Sequence, residues 1–346
     1  MTAAMTPIER MTMVMTGGIP DRVPIMGNLL EQGADALGIP IKTYYTKGEY
    51  VAEGQLKLRE KYGYDNLSGF FYAGQEAQML GCRHIIFSEQ GPPNVGHLII
   101  KDHTDIEALI VPEDVAEHPC FRELATCIRI LKQEAAGKVP VGSSVISSFS
   151  LPAILMGIDR WMDLMLNGPE KLRDNLLRKC SDFTIRLALA LKAAGVDGVS
   201  YSNPVGSADF LTLKQFRKLC LPWVKRDIEG IGIEGVTYFN GGGRINPMLS
   251  DLIDETGIMV YYINPMDDVA KAGQIIGDRG ISSGVINDIP LIDWTREDIY
   301  KEVRRIMDAG AADGRFIFGT LVMPYLIPEE NIHHLFDAAR ENGAYT

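Results

Sequence analysis

The stretch DGVSYSN at 197–203 and the stretch GVTYFNGGG at 235–243 decide the fold. Each is a short run weighted toward β-branched and aromatic residues that breaks off at an asparagine or a glycine turn, a strand signature rather than a helical one. Residues 204–234 leave room for a helix between them, so the two strands pair parallel through a right-handed crossover. Working outward, the same reading picks out 23–27 (VPIMG), 66–72 (NLSGFFY), 139–145 (VPVGSSV), 259–263 (MVYYI), 281–286 (ISSGVI) and 315–320 (RFIFGT). Eight such runs in α/β alternation match the eight units of a (β/α) barrel, which closes on itself and leaves no strand edge. An open doubly wound sheet is the alternative. Its dinucleotide-binding version needs a GxGxxG turn after an early strand, and Gly241-Gly242-Gly243 has the wrong spacing. The expectation is one domain over 1–346, a distorted (β/α)8 TIM barrel with an N-terminal helical extension and a hairpin-like insertion between strands two and three. In that insertion CRHIIFSEQGPPNVGHLIIKD (82–102) reads as two β segments around Gly91-Pro92-Pro93-Asn94.

The intervening helices have their own signals. In TREDIYKEVRRIMDAG (295–310), Thr295 and Asp298 form a capping box, and Ile299, Val303, Ile306 and Met307 share a face. Pro328 suits the first turn of a helix with Ile332, Leu335, Phe336 and Ala339 along its apolar stripe. Pro169 opens another, with Leu172, Leu176, Cys180, Phe183 and Leu187 facing inward.

Of the 346 residues 46% are apolar and 23% charged, the profile of an ordinary globular protein rather than a disordered one. Lys and Arg total 34 against 45 for Asp and Glu, and the net charge of −11 disfavours nucleic acid and anionic lipid as partners. No apolar run reaches membrane-spanning length. The first residues, MTAAMTPIERMTMVMTGGIP, hold an acidic residue and no continuous apolar core, which argues against a secretory signal. Five cysteines without a CxxC pair fit reduced thiols, so a cytoplasmic location is expected.

In a barrel the chemistry sits at the strands' C-terminal ends. The polar residues arriving there are Asn28, Glu31, Ser147, Ser148, Ser150, Tyr201, Asn203, Asn240, Tyr262, Asn264, Asp267, Asn287, Asp288 and Thr320. This set of amides and hydroxyls with a few carboxylates suits orienting an organic ligand better than holding a polyphosphate. Asparagine after a strand is commonly a turn residue bonding its own backbone, and serine there commonly a local cap. Asn240 stands out because the glycines after it require either φ above zero or close backbone approach. Among the 15 methionines, Met323 in LVMPYLIP is the best pocket candidate, with Phe149, Tyr262 and Tyr325 able to complete an apolar wall. The six histidines form neither HxH nor HExxH, and GxSxG is absent, so neither a metal constellation nor a serine triad is legible. His97 and His103 fall in the hairpin-like insertion, an element able to cover the mouth.

Taken in order, Asp21-Arg22-Val23-Pro24, EAQMLGC (76–82), SSFSLPAILMG (147–157), AAGVDGVSYSNPVGS (193–207), LPWVKR (221–226) and IPEEN (327–331) make the chain similar to the uroporphyrinogen decarboxylase superfamily, in its corrinoid-linked methyltransferase branch. The resemblance runs through nearly the whole sequence and implies the same distorted barrel. Decarboxylases of this family carry an arginine-rich segment after strand one that holds substrate carboxylates. Here that segment reads Met26-Gly27-Asn28-Leu29-Leu30-Glu31-Gln32-Gly33, and the family's late histidine corresponds to Thr320. Without bidentate donors, and with Glu31 repelling a carboxylate, a tetra-acid porphyrinogen is not the expected substrate. The thiol-methylating branch uses a zinc held by His-x-Cys and a distant Cys, positions that resemble Asn240, Gly242 and Leu321. None is a zinc ligand, so no zinc thiol-activation site is expected.

The resemblance without thiol activation implies the opposite half-reaction: transfer of a methyl group from an O-methyl, chiefly aromatic, substrate to a corrinoid carried by a partner protein docked at the barrel mouth. Tyr201, Asn203, Asn240 and Asn264 are the candidate orienting groups, with Asp267 or His97 as proton donor. Phe149 and Met323 are candidates for the ring pocket, and Asn28, Glu31 and Tyr262 for further substrate contacts. A decarboxylase or other lyase acting on a nonporphyrin carboxylate, and a noncatalytic corrinoid- or ligand-binding protein, are the alternatives. The oligomeric state is not legible.

Overall fold

Ten short strands appear in a computed structural model that describes residues 5–69 and 72–345. They are β1 (Ile25–Met26), β2 (Leu67–Ser68), β3 (Ile85–Ile86), β4 (Asn94–Val95), β5 (Val141–Ile146), β6 (Gly198–Ser202), β7 (Val236–Phe239), β8 (Val260–Ile263), β9 (Ile281–Ile286) and β10 (Phe316–Thr320). Eight of them make one parallel sheet in the order β1-β10-β9-β8-β7-β6-β5-β2. That order steps round the chain without the reversal of a doubly wound sheet, so the curled, incompletely closed barrel is the architecture. Seven of the eight runs read from the sequence hold one of these strands, and the eighth, 139–145, stops one residue short of the end of β5; Phe70 and Phe71, in the 66–72 run, lie outside the described residues. β3 and β4 pair antiparallel, Ile85 opposite Val95, as the hairpin in the insertion.

The helices follow their sequence signals. Thr295 and Asp298 form the capping box of helix Arg296–Gly310, which buries Ile299, Val303, Ile306 and Met307. Helix Glu329–Asn342 buries Ile332, Leu335, Phe336 and Ala339, and helix Glu170–Ala193 buries Leu176, Cys180, Phe183 and Leu187 while Leu172 stays partly exposed. Among the described residues no helix is long and apolar enough to cross a membrane.

The ring has a seam. Among the described residues β1 and β2 share no ladder, and side chains of the residues just before β2 bridge the gap. The Asn66 amide accepts from the Gly27 N–H at 2.8 Å and donates to the Gly27 carbonyl at 3.1 Å. The Asp65 carboxylate accepts from the Ile25 N–H at 2.8 Å, while the Asp65 N–H donates to the Ile25 carbonyl at 2.7 Å. That carboxylate is held by Arg10 at 2.9 Å and Arg22 at 2.6 Å, and its side chain is only 2% exposed. Arg10 belongs to the N-terminal helix Pro7–Met15, which starts in a Thr6–Glu9 capping box and packs Val14 on Val260, Ile281 and Ile317 at the strand entrances. Removing one partner from a buried ion pair typically destabilises by about 3–5 kcal/mol. Asp65→Asn is therefore expected to lower the denaturant midpoint by an amount in that range and to expose the N-terminal helix to protease; a midpoint unchanged from wild type would contradict the role given to the seam.

A second buried acid lies in the insertion. Glu76, in helix Gly74–Met79, accepts from the Ile146 N–H at 2.7 Å through Oε1, and its Oε2 has no partner. Burial pushes its carboxyl up to about 8, only partly opposed by the Ile146 bond. The folded value lies above the unfolded one, so this site's contribution to stability is complete at acid pH and is lost as pH rises toward 8. Between the ordinary value of 4.5 and 8 the slope is on the order of 1.4 kcal/mol per pH unit. Urea unfolding across that range should show Glu76→Gln losing this slope and gaining stability over wild type at pH 8.

Candidate functional site

At the strand exits lies a pocket of about 400 Å³. Ile146, Ala153, Val205, Phe239, Leu321 and Val322 are among the apolar residues of its wall, and Ile289, also in the wall, is largely exposed. The acid in this wall is Asp288, which follows β9 and is 1% exposed. Neither carboxylate oxygen has a hydrogen bond of good geometry. Burial drives its carboxyl well above the usual range, and the neighbouring Leu321 N–H opposes this only weakly. Burial thus favours the protonated form of Asp288, which lines a mainly apolar pocket. A second cavity, of about 580 Å³, occupies the barrel interior and abuts the first at Ser202, Phe239 and Val322. Among the described residues no lysine or arginine lines either cavity.

The residues singled out from the sequence separate into three sets. Asn28 and Tyr262 face the interior cavity. Asn28 donates to the Thr320 carbonyl at 2.7 Å, and the Tyr262 phenol, within reach of the Asn28 side chain, is pushed up to about 12 by burial and stays a neutral donor.

A second set holds the loops at the mouth. Asn240 donates to the Tyr262 carbonyl at 3.0 Å and accepts from the Gly242 N–H at 3.2 Å, while the Asn264 amide donates to the Gly242 carbonyl. Gly241 and Gly242 have φ of +60° and +89°, and a Cβ on Gly243 would sit 2.4 Å from Ser207, so both reasons for glycine apply in this loop. Asp267 accepts from the N–H groups of Ile245 at 2.6 Å and Asn246 at 3.3 Å. Asn203 accepts from the hydroxyls of Ser147 at 2.7 Å and Ser150 at 2.9 Å and donates to Tyr238 at 2.8 Å.

The third set points away from both cavities. Tyr201 lies between the sheet and its helices and donates to Asp227 at 2.7 Å. Asp227 also accepts from the Ser148 N–H at 3.0 Å and from Ser181, which ties the loop after β5 to helix Leu221–Ile231. Phe149 packs edge-on against Trp161 at 5.6 Å, and Met323 is buried with its carbonyl accepting from Gln32 at 3.0 Å. Glu31 is buried and accepts from Tyr45 at 3.0 Å; burial raises its carboxyl. The His97 side chain is exposed, while its carbonyl meets the Cys82 thiol at 3.6 Å. Neither Asp267 nor His97 is brought to the mouth pocket, whereas Asp288, not chosen from the sequence as proton donor, is. Its signal was there: a carboxylate in VINDIPLI (285–292), with valine and isoleucine before it and isoleucine, proline and leucine after it.

The positions that resemble the zinc ligands of the thiol-methylating branch do come together. A Cβ on Gly242 would lie 3.5 Å from the Leu321 side chain, and the Asn240 side chain bonds the Gly242 N–H. Glycine and leucine offer no donor atom, and both ends of the asparagine amide are engaged. The cluster does not fit a zinc ion, and among the described residues no group of three or more His, Cys, Asp or Glu side chains is arranged to hold a metal.

Comparison with known proteins fits this geometry. The methylcobamide:CoM methyltransferase MtaA of Methanosarcina barkeri (strain Fusaro / DSM 804) is 20% identical over 306 residues, 87% of this chain and 88% of its own. A uroporphyrinogen decarboxylase of Trichlorobacter lovleyi is 23% identical over 248 residues, 69% of this chain and 70% of its own. A methyltransferase from Methanosarcina mazei has the same fold, with a TM-score of 0.84 at 20% identity over 97% of this chain and 99% of that one. The similarity to MtaA over most of both chains agrees with the methyltransferase branch read from the sequence. The uroporphyrinogen decarboxylase (URO-D) family model matches residues 6–342, and the chain belongs to that family.

Proposed function

We propose that this protein moves the methyl group of an O-methyl aromatic donor to a corrinoid carried by a separate protein docked at the barrel mouth. The observation that carries the reading is Asp288, a buried carboxyl with no hydrogen bond of good geometry, in a mainly apolar pocket shared with Leu321, one of three family-equivalent zinc positions that hold no ligand. Breaking a CH3–O bond leaves both bonding electrons on oxygen, and a carboxylic acid held a hydrogen bond away protonates that oxygen as it departs. A reduced corrinoid supplies, when bound, the nucleophilic electron pair that accepts the methyl group, so the chain needs no nucleophile of its own.

The chain's own groups supply orientation, dryness and the proton. Phe239, Ile146 and Leu321 line the pocket with Asp288, and burial there favours its protonated form. Asn240 and Asn264 fix the glycine loop, and Asn203 with Asp227 and Tyr201 fixes the loops after β5 and β6; these act as positioning residues. The proton donor in this reading is Asp288, not Asp267 or His97. Exposed apolar side chains at the strand exits, Phe210, Met266, Ile289 and Leu326, offer a docking face for the corrinoid carrier. The absence of basic side chains from the cavity walls speaks against a carboxylate substrate and hence against the lyase reading.

The test mixes the protein with reduced cobalamin, free or on a carrier protein, and a panel of methoxyaromatics, following the corrinoid's visible absorption and the demethylated product. Both signals should rise together and only with corrinoid present. Turnover of the same donors without corrinoid, carbon dioxide release, or binding without turnover across the panel would each overturn the reading.

Asp288→Asn should lower single-turnover transfer about 10²- to 10⁴-fold, the usual loss for a general acid. Because the proton-loaded form is the active one, the wild-type rate should hold on the acid side of the Asp288 pKa and fall as pH rises through it. The variant's residual rate should be flat over the same range, and a falling profile retained by the variant would assign the proton elsewhere.

A further inference from the structure

In most (β/α) barrels bulky branched side chains fill the interior. Here three adjacent strands do not supply them. Gly142 on β5 lies beside Gly198 on β6, and Ser144, Ser200 and Thr237 form the next row across β5, β6 and β7. These rows face Met26, Val260, Tyr262 and Ile317 across the cavity of about 580 Å³, with Met11 and Met15 of the N-terminal helix at its floor.

The fold does not demand this hollow. Gly142 and Gly198 have no positive φ, and a Cβ on either would meet only a carbonyl oxygen, at 3.6 Å and 3.5 Å, which is ordinary contact. The small side chains leave a chamber with two unlike walls. On one side the hydroxyls of Ser144, Ser200, Ser202 and Thr237 make no hydrogen bond among the described residues; the other wall is mainly thioether, aliphatic and aromatic, with Asn28 as a polar group toward the mouth. The chamber meets the mouth pocket at Ser202, Phe239 and Val322.

Resting on the function proposed above, we infer that the barrel interior is the substrate's second subsite, and that the methyl donor is an elongated methoxyarene. Its ether oxygen lies at Asp288, and its distal substituent runs down the lumen from Phe239 toward Met11. A cavity of about 150 Å³ suffices for a single benzene ring, so 580 Å³ holds a substituent well beyond one ring. The unlike walls select a substituent that is apolar along one edge and carries hydrogen-bonding oxygen along the other. Gly198, Ser200 and Ser202, on alternate positions of β6, are its length-determining residues.

The experiment separates this subsite from the chemistry. Calorimetric titration of the protein alone with 4-methyl-, 4-propyl- and 4-hexylphenol reads binding without corrinoid. Affinity should rise about three- to four-fold for each methylene that enters the lumen. Ser200→Leu should abolish that dependence, and Gly198→Ala, which the contact distances accommodate, should blunt it in a smaller change that secures the result if the larger one impairs folding. The kcat/KM for demethylating 4-hexylanisole relative to 4-methylanisole, with reduced cobalamin, should fall in the same variants. Affinity independent of chain length in wild type, or a dependence unchanged in both variants, overturns the subsite. A chain-length dependence with no methyl transfer from any donor leaves the subsite standing and overturns the function on which it was built.

Discussion

A ring of parallel strands is only as secure as the junction between its first and second members, and here both are two residues long. An asparagine side chain carries the same donor and acceptor as a peptide unit, and Asn66 uses both on Gly27 where a ladder would otherwise run. Asp65 adds a carboxylate, which is costly to bury without opposite charge. Arg22 meets it from the strand's own approach and Arg10 from the N-terminal helix. One carboxylate therefore couples closure of the ring to placement of the helix across its base, and that helix brings Met11 and Met15 beneath the lumen. The hollow interior has a floor because the seam is ionic.

The buried acids differ in what meets them, and that difference sorts their roles. Asp227 has three donors, from Ser148, Ser181 and Tyr201, and joins a loop to two elements. Glu76 has one, the Ile146 N–H at the end of β5. Asp288 has none of good geometry and sits in a cavity wall. Burial raises all three carboxyls, but donors that satisfy an oxygen also occupy it. Of these three, Asp288 is the one that lines a cavity with both oxygens unpaired, which places it, rather than Glu76 or Asp227, to meet a ligand.

The architecture was open to reading because short apolar runs and capping boxes are local signals. VGSSVI, GVSYS and VTYF declare strands in any context, and Thr295 with Asp298 declares a helix start. The site was less legible for two physical reasons. Side chains alternate across a strand, so identifying β6 leaves open whether Ser200 or Tyr201 faces inward; the structure puts Ser200 in the lumen and Tyr201 against the helices. Partners distant in sequence settle the rest. Asp267 and Asp288 both follow strands, yet Asp267 is claimed by the N–H groups of Ile245 and Asn246, more than twenty residues earlier. The isoleucines and proline flanking Asp288 gave the local hint of an apolar setting, and the lack of a partner could be seen only in three dimensions.

The departures from the family pattern are physically linked. A divalent cation at the Asn240, Gly242 and Leu321 cluster would place a strong positive charge near Asp288 and hold its carboxylate ionised. A leucine at that position does the reverse: it withdraws solvent and favours the protonated acid. Glycine and leucine in place of ligands remove the means of making a thiolate and, under the function proposed above, leave Asp288 as the means of protonating a leaving oxygen. A reaction that ends on a thiol needs the first, and a reaction that begins by releasing an alkoxide or phenolate needs the second.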